Sequence, residues 1–381
     1  MHLTAGPILD LPNWHVDPSG NPPFQEAMAW RNGRMDLPQR ARDTALFNEK
    51  FYSVHPPLFA IISYAALSLG ELQGVPHGQF YPPWYVLAIV IPLPIVGFWA
   101  FNEVLKSAAW SAVLCGYWII GTPLLTALLD AQNGGINSLN HILANIGLML
   151  VAGDLLGRRR MWPAAIGLTV IIWSRPHLLF FGVAAIWIAR TVSHRRTGMT
   201  WVIGAMLISV GTLLLLNYAK FDNPFESGYR YIYDYRPNSF LGSRFYAHGL
   251  FSPHFFPENF WTMNLVVPQF RLSPSFLTAE RSEWGAAIWF TTPILLVALF
   301  DASRWWRDKA ARPLILASFA VIATFLMYHY RGASTRGCHF YSLDFLAVWL
   351  LLIAPWTFNG HRRWITLICL AWSAVYFNLI S

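Results

Sequence analysis

Few residues in this chain can carry chemistry, and they stand where polar stretches meet apolar ones. Asp17 lies in His-Val-Asp-Pro-Ser-Gly. A carboxylate there could act as general base on a hydroxyl or help hold a divalent cation, and the same run also reads as a plain turn. His55 precedes Pro56-Pro57, at the entrance to an apolar segment, and could contact a phosphate. Asp130 follows an apolar stretch and precedes Ala-Gln-Asn-Gly-Gly, either as a second acid facing the same space or as a helix-end turn. Arg175 sits between two short apolar segments, Ile-Ile-Trp-Ser before it and Pro-His-Leu-Leu-Phe-Phe after it. Such an arginine must be paired, solvated or bound to an anion, and lipid phosphate is the anion at hand. Snorkelling to headgroups is the simpler reading. Arg336 and His339 raise the same question ahead of Phe340 to Asp344. Tyr229 and Arg230, in the run Tyr-Arg-Tyr-Ile-Tyr-Asp-Tyr-Arg, could form a cation and aromatic surface for sugars or phosphates, or an interfacial aromatic belt.

The elements that must position these residues are membrane-type. Of 381 residues, 55% are apolar, 16% aromatic and 12% charged, about half the charge usual in a soluble domain. Apolar windows fall near 56–72, 84–101, 107–129, 137–156, 161–174, 176–190, 200–217, 285–300, 313–329, 340–356 and 363–380. Basic residues concentrate in short links: Arg158 to Arg160, the cluster Arg190, Arg195 and Arg196, the cluster Arg304, Arg307, Lys309 and Arg312, and the pair Arg362 and Arg363. These orient the chain in a bilayer, so the net charge of +8 points to topology and away from nucleic acid. They recur after every second window, which puts Arg175, the loop 219–283 and the link 331–339 on the opposite, outer side. That loop has six basic and six acidic residues, hence no positive bias. The segment 56–72 starts at Pro56-Pro57 and suits an interfacial helix. The expected fold is therefore all-α and polytopic, with about 10 transmembrane helices plus outer-face juxtamembrane helices in one integral-membrane domain. Within it, 1–72 forms an outer acidic loop and juxtamembrane helix, 84–217 a first helix group, 218–284 an outer loop and 285–381 the last four helices. Cys115, Cys338 and Cys369 are too scattered for a disulfide framework or a cysteine metal site. No glycine-rich phosphate loop, zincin motif or nucleophile elbow occurs.

Several stretches then resemble a known family. Gly20-Asn21-Pro22-Pro23-Phe24 to Ala29, Gly33-Arg34, Phe47-Asn48-Glu49-Lys50-Phe51-Tyr52 and His55-Pro56-Pro57-Leu58 look like the first outer loop of membrane glycosyltransferases of the GT-C class. Their pattern is similar to bacterial members of the protein O-mannosyltransferase and aminoarabinose transferase superfamily. Asn217-Tyr218 with Phe221 to Tyr229, and Phe340-Tyr341 with Asp344, carry the resemblance further along.

The resemblance implies transfer of a sugar from a polyprenyl-phosphate donor at the outer face of a bacterial cytoplasmic membrane, with membrane lipid as surroundings. The acceptor-activating acid would match Asp17. Carrier phosphate would be held by basic residues such as Arg175, Arg336 or His339. Relatives carry a spanning helix before the acidic loop, so one is expected upstream of Met1, 16 residues before Asp17. Their late Arg-Tyr pattern stands here as His339-Phe340, which predicts a pH-dependent phosphate contact. Cofactor and metal requirements stay open, a divalent cation being compatible with the acidic loop. Two other classes are also carried: a lipid or solute transporter, which would place its polar groups at mid-membrane, and a non-catalytic lipid-binding relative.

Overall fold

The computed structural model describes residues 21–74, 88–89, 91–132, 136–192, 194–232, 235–268, 270–272, 277–279, 285–332, 337–357 and 360–380. Asp17 and Arg336 lie outside them. The described residues open on α1 (Pro22–Arg31), a hairpin of β1 (Thr44–Phe47) and β2 (Lys50–Ser53), and α2 (Leu58–Leu72). Helices α3 (Pro92–Leu105), α4 (Ala108–Ile120), α5 (Pro123–Gln132), α6 (Ile136–Leu156), α7 (Trp162–Ser174), α8 (Phe180–Ala189) and α9 (Arg195–Phe221) follow. Next come α10 (Phe240–His248), α11 (Phe256–Asn264) and a second hairpin, β3 (Phe270–Leu272) with β4 (Leu277–Ala279). The remainder is α12 (Ile288–Thr291), α13 (Val297–Arg307), α14 (Ala311–Leu326), α15 (Leu343–Thr357) and α16 (Arg362–Ile380).

The molecule is thus mostly helical, and among the described residues the all-α expectation is corrected by two short antiparallel hairpins. Among the described residues, three helical segments are long and apolar enough to cross a membrane: Asn137–Leu156, Arg195–Phe221 and Phe340–Thr357. Helices α4 and α5, bent by 58° at their junction, make a fourth if taken as one broken span. The first and third of these are central, 89% buried over their most apolar stretch, whereas α9 is 11% buried and turns its leucines outward.

Small residues let the central helices approach. A Cβ on Gly167 of α7 would come within 2.6 Å of the Gly147 carbonyl of α6, so the backbones meet there directly. Helix α7 stops where proline disfavours a helical residue before it: Arg175 leaves the α-region at φ −149° and a short 3-10 turn begins at Pro176. At the other end of α6, Asp154 accepts the backbone N–H groups of Arg160 (2.9 Å) and Met161 (2.7 Å), capping the entry to α7. Beside it, Glu103 at the end of α3 gathers Arg158, Arg160 and Lys106.

Candidate functional site

At the opposite end of α6 lies a buried ionic centre. Asp344, in the first turn of α15, is fully buried and accepts four N–H groups from two other segments. Oδ1 takes Nδ1 of His141 at 2.7 Å; Oδ2 takes Nε and Nη2 of Arg175, each at 3.0 Å, and Nε2 of His177 at 2.8 Å. A carboxylate with this many donors is a poor proton acceptor. Its role is to neutralise and aim Arg175, which remains 17% exposed at the break between α7 and α8.

Aromatic rings wall the centre. Tyr341 stacks on Phe325 with centroids 4.8 Å apart, and lies 5.4 Å from the Arg175 guanidinium. His141 packs edge-on to Phe340 at 4.7 Å, and His177 edge-on to Phe325 at 4.9 Å. Tyr328 and Tyr330 close on Tyr341 from the far side. Gly332, at φ +72°, leaves room for that ring: a Cβ there would sit 2.5 Å from it. Tyr229 is within hydrogen-bonding reach of Tyr328, and burial pushes its phenol up.

The segments around α1, the first hairpin and the end of α9 bring a second buried pair. Lys220, near the end of α9, pairs with Glu26 of α1 and donates to the Ser53 carbonyl at 3.1 Å. Desolvation raises the Glu26 carboxyl, and the lysine opposes the shift. Ser53 Oγ in turn accepts the His55 backbone N–H at 3.2 Å. The His55 ring is nine-tenths buried with no protein partner at Nε2. Burial drives it down to about 4, with Asp43 opposing and Lys220 and Arg175 reinforcing. His55 is therefore neutral in the field of two cations and one acid. Asp43, in a left-handed turn at φ +56°, lines an open cavity of about 690 Å³ with Arg40, Arg42, Tyr235, Ser239 and Phe240.

The structure accordingly brings together Arg175, Tyr229 and His55 of the residues singled out from sequence. Asp130 is held locally by the hydroxyl of Ser138, at the end of α6 that carries His141. Arg230 pairs with Glu226 (2.6 Å) and lies over the Tyr231 ring (4.7 Å). His339 is buried, and burial lowers it to about 4, so it is neutral near pH 7. Sequence reasoning missed His141, His177, Lys220, Glu26 and Asp43, and gave Asp344 no role. One signal was available: Asn137, Ser138, Asn140, His141 and Asn145 crowd one end of a helix that is apolar from there to Asp154. Among the described residues no group of three or more His, Cys, Asp or Glu could hold a metal ion. Comparison with known proteins finds no matching family model, curated protein or solved structure.

Proposed function

We propose that this chain is a membrane glycosyltransferase that moves a sugar from a polyprenyl-phosphate donor to an acceptor at the outer face of the membrane. The observation that carries the reading is Arg175, held by Asp344 at a break between apolar helices and still partly exposed. A guanidinium fixed in that way suits a phosphate at the membrane boundary, because its position is set before the ligand arrives and little reorganisation remains.

In the proposed reaction, an acceptor hydroxyl attacks the anomeric carbon, the bond from that carbon to the phosphate oxygen breaks, and the hydroxyl proton passes to a carboxylate. Arg175 stabilises the charge that gathers on the departing phosphate. Asp17 is the base suggested by the sequence; Asp43 is the acid that lines the cavity. Tyr229 offers a face for sugar packing, while Tyr341, stacked between Phe325 and His141, backs the Arg175 guanidinium. Transporters commonly centre their ionic groups at mid-membrane; here Asp344, His141 and Arg175 stand at helix ends, which favours the enzyme. The reading includes a ten-span topology in a bacterial cytoplasmic membrane with the site on the periplasmic side.

The test is transfer of labelled sugar from polyprenyl phosphate in proteoliposomes. Arg175→Ala is expected to reduce transfer by about 10²–10³-fold, with Arg175→Lys retaining part of it. Full activity in Arg175→Ala would overturn the reading, and comparing Asp17→Asn with Asp43→Asn identifies the base.

A further inference from the structure

The face opposite the ionic centre carries its own arrangement of charge. Its acids are consumed internally: Glu103 by Arg158, Arg160 and Lys106, Asp154 by the Arg160 and Met161 amides, and Asp308 by the Ala310 and Ala311 amides at 2.7 and 2.9 Å. Cations outnumber them at the seam of α8 and α14. The Arg312 guanidinium lies 5.4 Å from the ring centroid of Trp187, and its Nε is buried without a protein partner. Arg190, the C-cap of α8, is exposed and stands one turn beyond Trp187, on the same side of the helix. Before α14, the amphipathic α13 buries Trp305 and exposes Trp306 and Arg307, a pattern suited to the headgroup layer, and Lys309 follows it.

We infer that Arg190 and Arg312, with Trp187 between them, form a binding site for the headgroup of an anionic phospholipid. A guanidinium held over a half-exposed indole, with a second, exposed arginine one turn along the helix, matches a phosphodiester at the depth where tryptophan partitions, and the Arg312 Nε is a donor that no protein group uses. The inference rests on the membrane reading of the chain and is independent of the proposed transferase activity.

The full chain, purified in neutral detergent, is titrated with phosphatidylglycerol or phosphatidylcholine and followed by native mass spectrometry. Wild type is expected to retain one phosphatidylglycerol in preference to phosphatidylcholine. Arg190→Gln with Arg312→Gln should weaken that binding by about thirtyfold, about fivefold for each arginine. Arg190→Lys with Arg312→Lys keeps the charge and most of the affinity, and so separates lost binding from lost folding. Equal retention of both lipids, or an equal loss from Arg362→Gln with Arg363→Gln, would overturn the site. Failure of the chain to enter vesicles of either lipid would instead overturn the membrane reading.

Discussion

Asp344 and Arg175 illustrate how a buried charge pair constrains its members unequally. Removing the carboxylate leaves a largely desolvated guanidinium and two histidines without their acceptor, so Asp344→Ala is expected to cost about 3 kcal/mol. Asp344→Asn keeps one acceptor and will cost less, a difference readable from melting in detergent. The neutral histidines give a pH signature. His55 and His329 are both driven down to about 4 by burial, against an ordinary value of 6.5. The unfolded chain takes up these protons as pH falls below about 6.5, while the folded chain refuses them until about 4. Stability is therefore intact above that window and is lost as pH drops through it, by about 3 kcal/mol per site at its lower end. Melting temperature followed from pH 7 to pH 4 checks this, and His55→Gln with His329→Gln must lessen the slope, His339 keeping its share. At this scale Arg175 was legible because an arginine between apolar segments needs an anion. Asp344 was not, since an acid opening a helix is ordinary and its partner Arg175 is 169 residues away.

Elements carry these side chains to one place through close backbone approach. Helix α6 brings His141, and α7 leads to Arg175; they meet where Gly147 and Gly167 pack. Gly167→Ala forces the two apart and is expected to destabilise by about 1–3 kcal/mol. Under the transferase reading it also lowers activity without touching a reacting group, whereas the open Gly204→Ala on α9 will leave activity unchanged and raise stability by up to about 1 kcal/mol. Apolar windows made most helices legible, including the stop at Arg175-Pro176. The hairpin β1–β2 was not, because its strands are four residues each and their support comes from distant rings, Phe221 and Tyr231. Helix α11 shows a similar long-range tie: the Asn259 amide donates to the carbonyls of Phe325, Leu326 and Tyr328, covering the exposed end of α14.

Across the whole molecule, polarity is divided between two ends. Along the 21-residue α6, His141 at the Asp344 centre and Asp154 at the other cluster are 13 residues apart, about 20 Å, so the two centres lie toward opposite ends of the helix within the ~30 Å of a bilayer core. If the chain spans as read, Arg42→Cys and Arg307→Cys will react with an impermeant maleimide from opposite sides of sealed vesicles, in a background lacking Cys115, Cys338 and Cys369. Reaction of both from one side would refute that arrangement. The centre at Asp344 also bears on how this sequence can drift. Because one carboxylate satisfies His141, Arg175 and His177 at once, loss of any partner is felt by the other three, and no single replacement is harmless. Relatives that keep this architecture will therefore keep the four positions as a set or exchange them together, and a site that has lost its anion partner will show it as linked change at all four.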